Sequence, residues 1–232
     1  MNTAKEHYLE FLGIDENKVM DGEVVFSSEF RDLPLNQNYF YPIIATEYFG
    51  GYIYSTSDKH YSMVKELVSV HGDNIENFYE AFNVNNNEYR LRKMYRYSYD
   101  DKTLHDTRSR TMTFEDIKYI GVKTDEEHEQ YIKRKKEVLE AGRQFIIEEK
   151  GKIKAIGLIS EIRCGGGNIV AATMKGYRGN GYAKEVVKGC INWCIEHDVI
   201  PVYLVEDTNE ISKKIPLSLG FNFITTEWII SE

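Results

Sequence analysis

Arg178-Gly179-Asn180-Gly181-Tyr182-Ala183 stands between a run of strand-forming residues and an amphipathic helical stretch. Small residues at a helix start let the backbone come close to an anion. The first amides of a helix have no intrahelical partner, and the helix dipole leaves partial positive charge there. Arg178 adds a planar, permanently charged donor. Alone, a Gly-x-Gly turn is also simply a tight loop, so the flanking sequence has to decide.

On the C-terminal side, Ala183, Val187, Cys190, Ile191 and Cys194 recur at helical spacing, with Lys184, Glu185 and Lys188 facing out. On the N-terminal side, Asn168 to Met174 reads as a strand, and Gly165-Gly166-Gly167 as a reversal of the chain before it. Arg143 to Glu148 and Lys152 to Arg163 form an antiparallel pair across the turn at Lys150-Gly151. Pro201 to Val205 has the length and β-branched content of a buried central strand. It is expected parallel to the strand ending at Met174, with the helix as a right-handed crossover. Asp207 can cap the next helix with Glu210 as its reciprocal partner. Asn222 to Ile230 is a last strand, Asp125 to Ala141 a charged helix, and Thr113 to Ile117 a further helix start. This alternation of strands and helices predicts an α/β (α+β) domain.

Residues 1–100 differ in character, and most of the chain's 17 Tyr fall there. Tyr41 to Ser55 and Glu88 to Tyr99 suggest strands, and Asp58 to Val70 a helix. The Asn-rich turn Asn83 to Asn87 and the polar stretch Asp100 to Ser109 are the best breakpoints. They predict an N-terminal α+β domain over 1–100 and a second domain over 101–232.

The 232 residues are 42% hydrophobic and 28% charged, an ordinary globular balance with no sign of extended disorder. A net charge of −8 and a pI of about 5.4 argue against an extended basic face, so neither nucleic acid nor membrane is an expected partner. Lys5, Glu6, His7 and Glu10 occupy the stretch where a secretory signal would need an apolar core, and no apolar run reaches membrane-span length. The expected location is the cytoplasm, where three cysteines stay reduced. Cys190 and Cys194 share a helix face without nearby His or Cys partners. Buried packing is their reading, and no metal is expected.

Taken in order, Ile169-Val170-Ala171-Ala172-Thr173, Tyr177 to Ala183, Pro201-Val202-Tyr203-Leu204, Asn209, Ser212 and Leu219-Gly220-Phe221 resemble the GNAT superfamily of N-acetyltransferases. The resemblance covers roughly residues 105–232. It implies a GNAT-like fold, with a mixed, mostly antiparallel central sheet and flanking helices. It also implies acetyl-coenzyme A as co-substrate and direct acetyl transfer to the amine of a small molecule or peptide. The pantetheine arm would run beside Ala171, Ala172 and Thr173, and the pyrophosphate would sit on Arg178, Gly179, Asn180, Gly181, Tyr182 and Ala183. Asn209 and Ser212 fall where the family contacts the cofactor arm, although Asn209 is equally a helix-start residue.

Many members carry a proton-donating tyrosine four residues before the Gly of Leu-Gly-Phe, and this chain has Pro216 there. A proline inside a helix also deletes a backbone hydrogen bond, so the helix is expected to kink or end near Ile215. For the base, Glu161 is preferred, on a register shared with Ile153, Ala155 and Ile159. A carboxylate among apolar neighbours has a raised pKa, and the competing reading is an exposed strand-end glutamate. Glu206 and Asp207, at the end of a central strand, are second candidates. The alternative function is a catalytically impaired module that binds or senses an acyl-coenzyme A. Residues 1–100 could supply a substrate wall, a degenerate second copy of the fold or a dimer surface, so the chain is expected as a monomer or homodimer.

Overall fold

The computed structural model describes residues 3–34, 40–48, 50–84, 89–120 and 125–231. In chain order its elements are α1 (Ala4–Leu12), α2 (Glu16–Met20), β1 (Val25–Ser27), β2 (Ile43–Tyr48), β3 (Gly51–Thr56), α3 (Tyr61–His71), α4 (Ile75–Asn83) and β4 (Arg90–Ser98). There follow β5 (Arg110–Thr111), α5 (Asp125–Glu140), β6 (Gln144–Glu149), β7 (Lys152–Arg163), β8 (Gly166–Thr173), α6 (Tyr182–Glu196), β9 (Ile200–Glu206), α7 (Glu210–Ser218) and β10 (Asn222–Ser231). They group into two compact units. One is Met1–Tyr97 with Leu204–Lys213 and Phe223–Glu232; the other is Ser98–Tyr203 with Lys214–Asn222. Sheets are mixed and mostly antiparallel with flanking helices, as expected. Among the described residues no helix is long and apolar enough to cross a membrane.

In the first unit the strands run β1-β3-β2-β10-β4. Thr3 and Glu6 begin α1 with a reciprocal capping box, and Gly13 ends it in the left-handed region. The aromatic wealth of this region becomes core: Tyr54, Phe78, Phe82 and Trp228 are buried together, with Tyr54 and Phe78 rings 4.6 Å apart. The strand expected from Glu88 runs from Arg90, and both faces of its second half are covered. Asn85 to Asn87 of the expected turn lie outside the described residues.

In the second unit β5-β6-β7-β8 are antiparallel, and β9 joins β8 in parallel, as the crossover through α6 requires. Helix α6 buries Val186, Val187, Cys190, Ile191 and Cys194 against the sheet. Close approach is enforced at Gly157, where an added Cβ would lie 2.8 Å from the Val186 carbonyl oxygen. Burial pushes the Cys194 thiol up to about 12 and the Cys190 thiol well above its ordinary value, so both act as packing groups.

Several local expectations need correction. The chain reverses at Cys164-Gly165, both with positive φ, whereas Gly166 and Gly167 already belong to β8. Gly167 is there because a Cβ would press within 2.9 Å of Ile159. Lys188 and Glu185 do not simply face solvent. They pair at 2.8 Å, and the Arg108 amide donates to Glu185 at 2.9 Å. The stretch read as a polar breakpoint is thus strapped along α6: Asn192 exchanges two 2.8 Å hydrogen bonds with the His105 main chain.

Asp207 does not cap α7. Its amide continues the sheet by donating to Lys93, and Asn209 accepts the Ser212 amide at 3.0 Å instead. Nor does α7 stop at Ile215. It carries the buried Pro216 inside it and runs to Ser218. The terminator is Gly220, at φ +84°, with the Phe221 amide reaching back to the Pro216 carbonyl at 3.1 Å.

Candidate functional site

Strand β8 has two neighbours at its start and one at its end. Gly166, Gly167 and Asn168 pair with Ile200, Pro201 and Val202 of β9, and the parallel register goes no further. Among the described residues, the strand from Ile169 to Thr173 is paired only with β7. One edge of Ala171, Ala172 and Thr173 is therefore free of a strand, and Ala172 is exposed. An extended chain could add itself to such an edge through main-chain hydrogen bonds.

The free edge runs into the Arg178–Ala183 loop through a turn in which the Tyr177 amide donates to Met174 at 3.0 Å. Gly179 and Gly181 have φ of +82° and +75°, and a Cβ on either would meet nothing within 4 Å. The loop is open, and its glycines are required by backbone conformation. Asn180 is turned inward, its side-chain amide donating to the Tyr177 and Arg178 carbonyls at 3.1 and 3.3 Å. Gly181 precedes α6 without any side-chain cap. Among the described residues, the amides of Gly179, Asn180, Gly181, Tyr182 and Ala183 find no acceptor. Arg178 is exposed at their side. Tyr182 is steadied by Glu149, which accepts from its hydroxyl at 3.3 Å, and by the Arg108 guanidinium 5.5 Å from its ring. These features fit the pyrophosphate of an adenine-nucleotide cofactor: a run of unsatisfied donors, a positive dipole end and a guanidinium.

Asn209 and Ser212 belong to the first unit. Asn209 spends its side-chain oxygen on the α7 cap, which leaves its amide nitrogen as the group open to a ligand. Ser212 is half-buried one turn along.

Glu161 is not on a common register with Ile153, Ala155 and Ile159, because β7 carries two bulges. At one, Ile147 pairs with Ala155 and Glu148 with Ile153, leaving Lys154 extra. At the other, Ile159 pairs with Ile169 and Ile162 with Gly167, so Ser160 and Glu161 together oppose Asn168. Glu161 consequently stands at the level where β8 and β9 part. Its carboxyl is half-buried, with Arg163 Nη2 2.7 Å from Oε2. Burial raises its pKa, Arg163 and Arg143 oppose that rise, and Glu137 adds to it. Glu206 is exposed at the end of β9. Pro216 is buried, and a proline has no proton to donate.

One group at the site carries no recognisable motif. Lys154 is buried with its ammonium 3.7 Å from the Tyr177 ring centroid. The only sequence signal for it was a charge inside an otherwise apolar strand.

A family model described as Acetyltransferase (GNAT) domain matches residues 90–222. Among solved structures, an acetyltransferase of the GNAT family from Colwellia psychrerythraea is similar in fold, with a TM-score of 0.51 at 14% identity over 77% of this chain and 76% of that one. A GCN5-related N-acetyltransferase from Sphaerobacter thermophilus gives a TM-score of 0.49 at 12% identity over 77% of this chain and 71% of that one. No curated protein matches the chain.

Proposed function

The chain belongs to the GNAT acetyltransferase family, and on that premise we propose that it transfers an acetyl group from acetyl-coenzyme A to the amine of a small molecule or peptide. The observation that supports this reading is the continuity of two surfaces that, among the described residues, have no partner: the edge of β8 from Ile169 to Thr173, and the amides from Gly179 to Ala183 that follow it.

Acetyl-coenzyme A supplies an acetyl group already activated as a thioester. The edge of Ala171, Ala172 and Thr173 would hold its extended arm as an added strand. The loop amides and Arg178 would bind the pyrophosphate. An amine reaches the protein as an ammonium with no lone pair, so a base has to remove a proton before attack. Glu161 suits that task better than Glu206. It stands where β8 loses its β9 partner and burial raises its pKa, whereas Glu206 lies in solvent. With Pro216 in the donor position, the departing thiolate takes its proton from water, which a thiol pKa of about 8.5 permits.

Thiol release from acetyl-coenzyme A across a panel of primary amines tests the reading. Amine-dependent release is the expected result. Cofactor binding with no release for any amine would instead point to a binding module whose chemistry was lost with the donor at Pro216.

A further inference from the structure

One buried lysine grips the turn between β8 and the amide-lined loop at two points. Lys154 is the extra residue of the β6–β7 bulge and has no opposite residue in β6. Its carbonyl accepts the Met174 amide at 2.8 Å, and the Met174 carbonyl in turn accepts the Tyr177 amide at 3.0 Å. Its ammonium lies 3.7 Å from the Tyr177 ring centroid, while the residue is only 9% exposed. Among the described residues no carboxylate pairs with it. Tyr177 immediately precedes Arg178, and its carbonyl also accepts from Asn180. An ammonium held against an aromatic face away from water is attracted to it more strongly than an exposed one. The contact is felt by the phenol. The Lys154 ammonium beside it draws the Tyr177 pKa below its ordinary value, with Lys152 assisting and Glu149 opposing.

We propose that Lys154 is the positioning residue of the cofactor loop: by fixing Tyr177 it holds the Arg178–Gly181 turn in the form that presents its amides to an anion. The proposal rests on the acetyl-coenzyme A reading above. Lys154 acts through Tyr177, so its effect belongs to cofactor binding and not to the transfer step.

The test is calorimetric titration of coenzyme A into the full-length protein and into Lys154→Met, Lys154→Arg, Tyr177→Phe and Tyr177→Leu. Lys154→Met and Tyr177→Leu should each weaken binding about five-fold, while the variants that keep a cation or a ring retain most of it. Lys154→Met combined with Tyr177→Leu should bind no more weakly than either alone, since both remove one contact. In turnover, KM for the acetyl donor should rise with kcat and the amine KM unchanged. A second readout needs no cofactor: in NMR of labelled tyrosine, the Tyr177 pKa should rise in Lys154→Met. Equal coenzyme A affinity in the wild type and Lys154→Met overturns the positioning role. Should Lys154→Met fail to fold, equal affinity in Tyr177→Leu and Tyr177→Phe overturns it instead. A wild-type protein that binds no coenzyme A overturns the cofactor reading, and this inference with it.

Discussion

Glu161 shows how much a single inserted residue decides. Two-residue alternation would bury its carboxylate with Ile159, but the bulge opposite Asn168 sets it beside Ser160 and within reach of Arg163, at the point where β8 is released from β9. Its raised pKa has a definite sign in the pH dependence. The carboxyl stays protonated above the ordinary 4.5, so the rate should climb as pH rises through the elevated value. Glu161→Gln should lose roughly a hundred-fold in kcat, within the range of a positioned base, and should flatten that limb while cofactor affinity stays unchanged. A pH–rate profile with parallel calorimetry reads both. An unaltered limb in the variant would assign the proton transfer elsewhere. The same shift touches stability: the contribution of Glu161 is present below the ordinary carboxylate range and is lost as pH rises through the raised value, so the loss should be absent in Glu161→Gln.

The strand β7, helix α6 and strand β9 were legible because their residues repeat a period over many positions: apolar recurrence for α6, a β-branched run for β9. What escaped were single-residue events that no period records. The bulges at Lys154 and Ser160-Glu161 are register shifts, and Gly166 and Gly167 look like a turn when in fact close packing requires them. Pro216 looks like a helix stop, yet α7 passes through it because Ile215 and Pro216 bury apolar surface and Gly220 supplies the left-handed exit. At this scale the seat of α6 makes a comparative prediction. A Cβ at Gly157 meets the backbone of Val186 at 2.8 Å, which can yield only by moving the helix. At Gly189 it meets the ends of side chains, Ser109 Oγ at 2.4 Å and Phe145 Cδ1 at 2.7 Å, and alanine there also raises helix propensity. Gly157→Ala should therefore cost about 2 kcal/mol and Gly189→Ala distinctly less, as measured by denaturant unfolding. The reverse order would show that the helix shifts more easily than the side chains.

Over the whole molecule, sequence order and spatial grouping diverge. Leu204–Lys213 and Phe223–Glu232 group with Met1–Tyr97, and strand β10 pairs with β2 from Glu227↔Thr46 to Ile230↔Ile43. Such a long-range pairing leaves no local trace, which is why this grouping of strands could not be read from residue patterns. Glu227, buried at 0% exposure beside Arg96, belongs to that grouping. A fragment beginning at residue 98 would carry Glu227, Ile229 and Ile230, all fully buried in the intact chain, without the strand that covers them. It should show no cooperative thermal transition; a sharp transition near that of the full chain would mean that these pairings contribute little. The cofactor site has its own decisive measurement, calorimetric titration of acetyl-coenzyme A into the full-length protein and into Arg178→Glu. The unpartnered amides from Gly179 to Ala183 predict one-to-one binding with a Kd between about 1 μM and 1 mM, weakened at least roughly ten-fold by the added negative charge. No saturable binding up to about 1 mM, or equal binding by the variant, would contradict it.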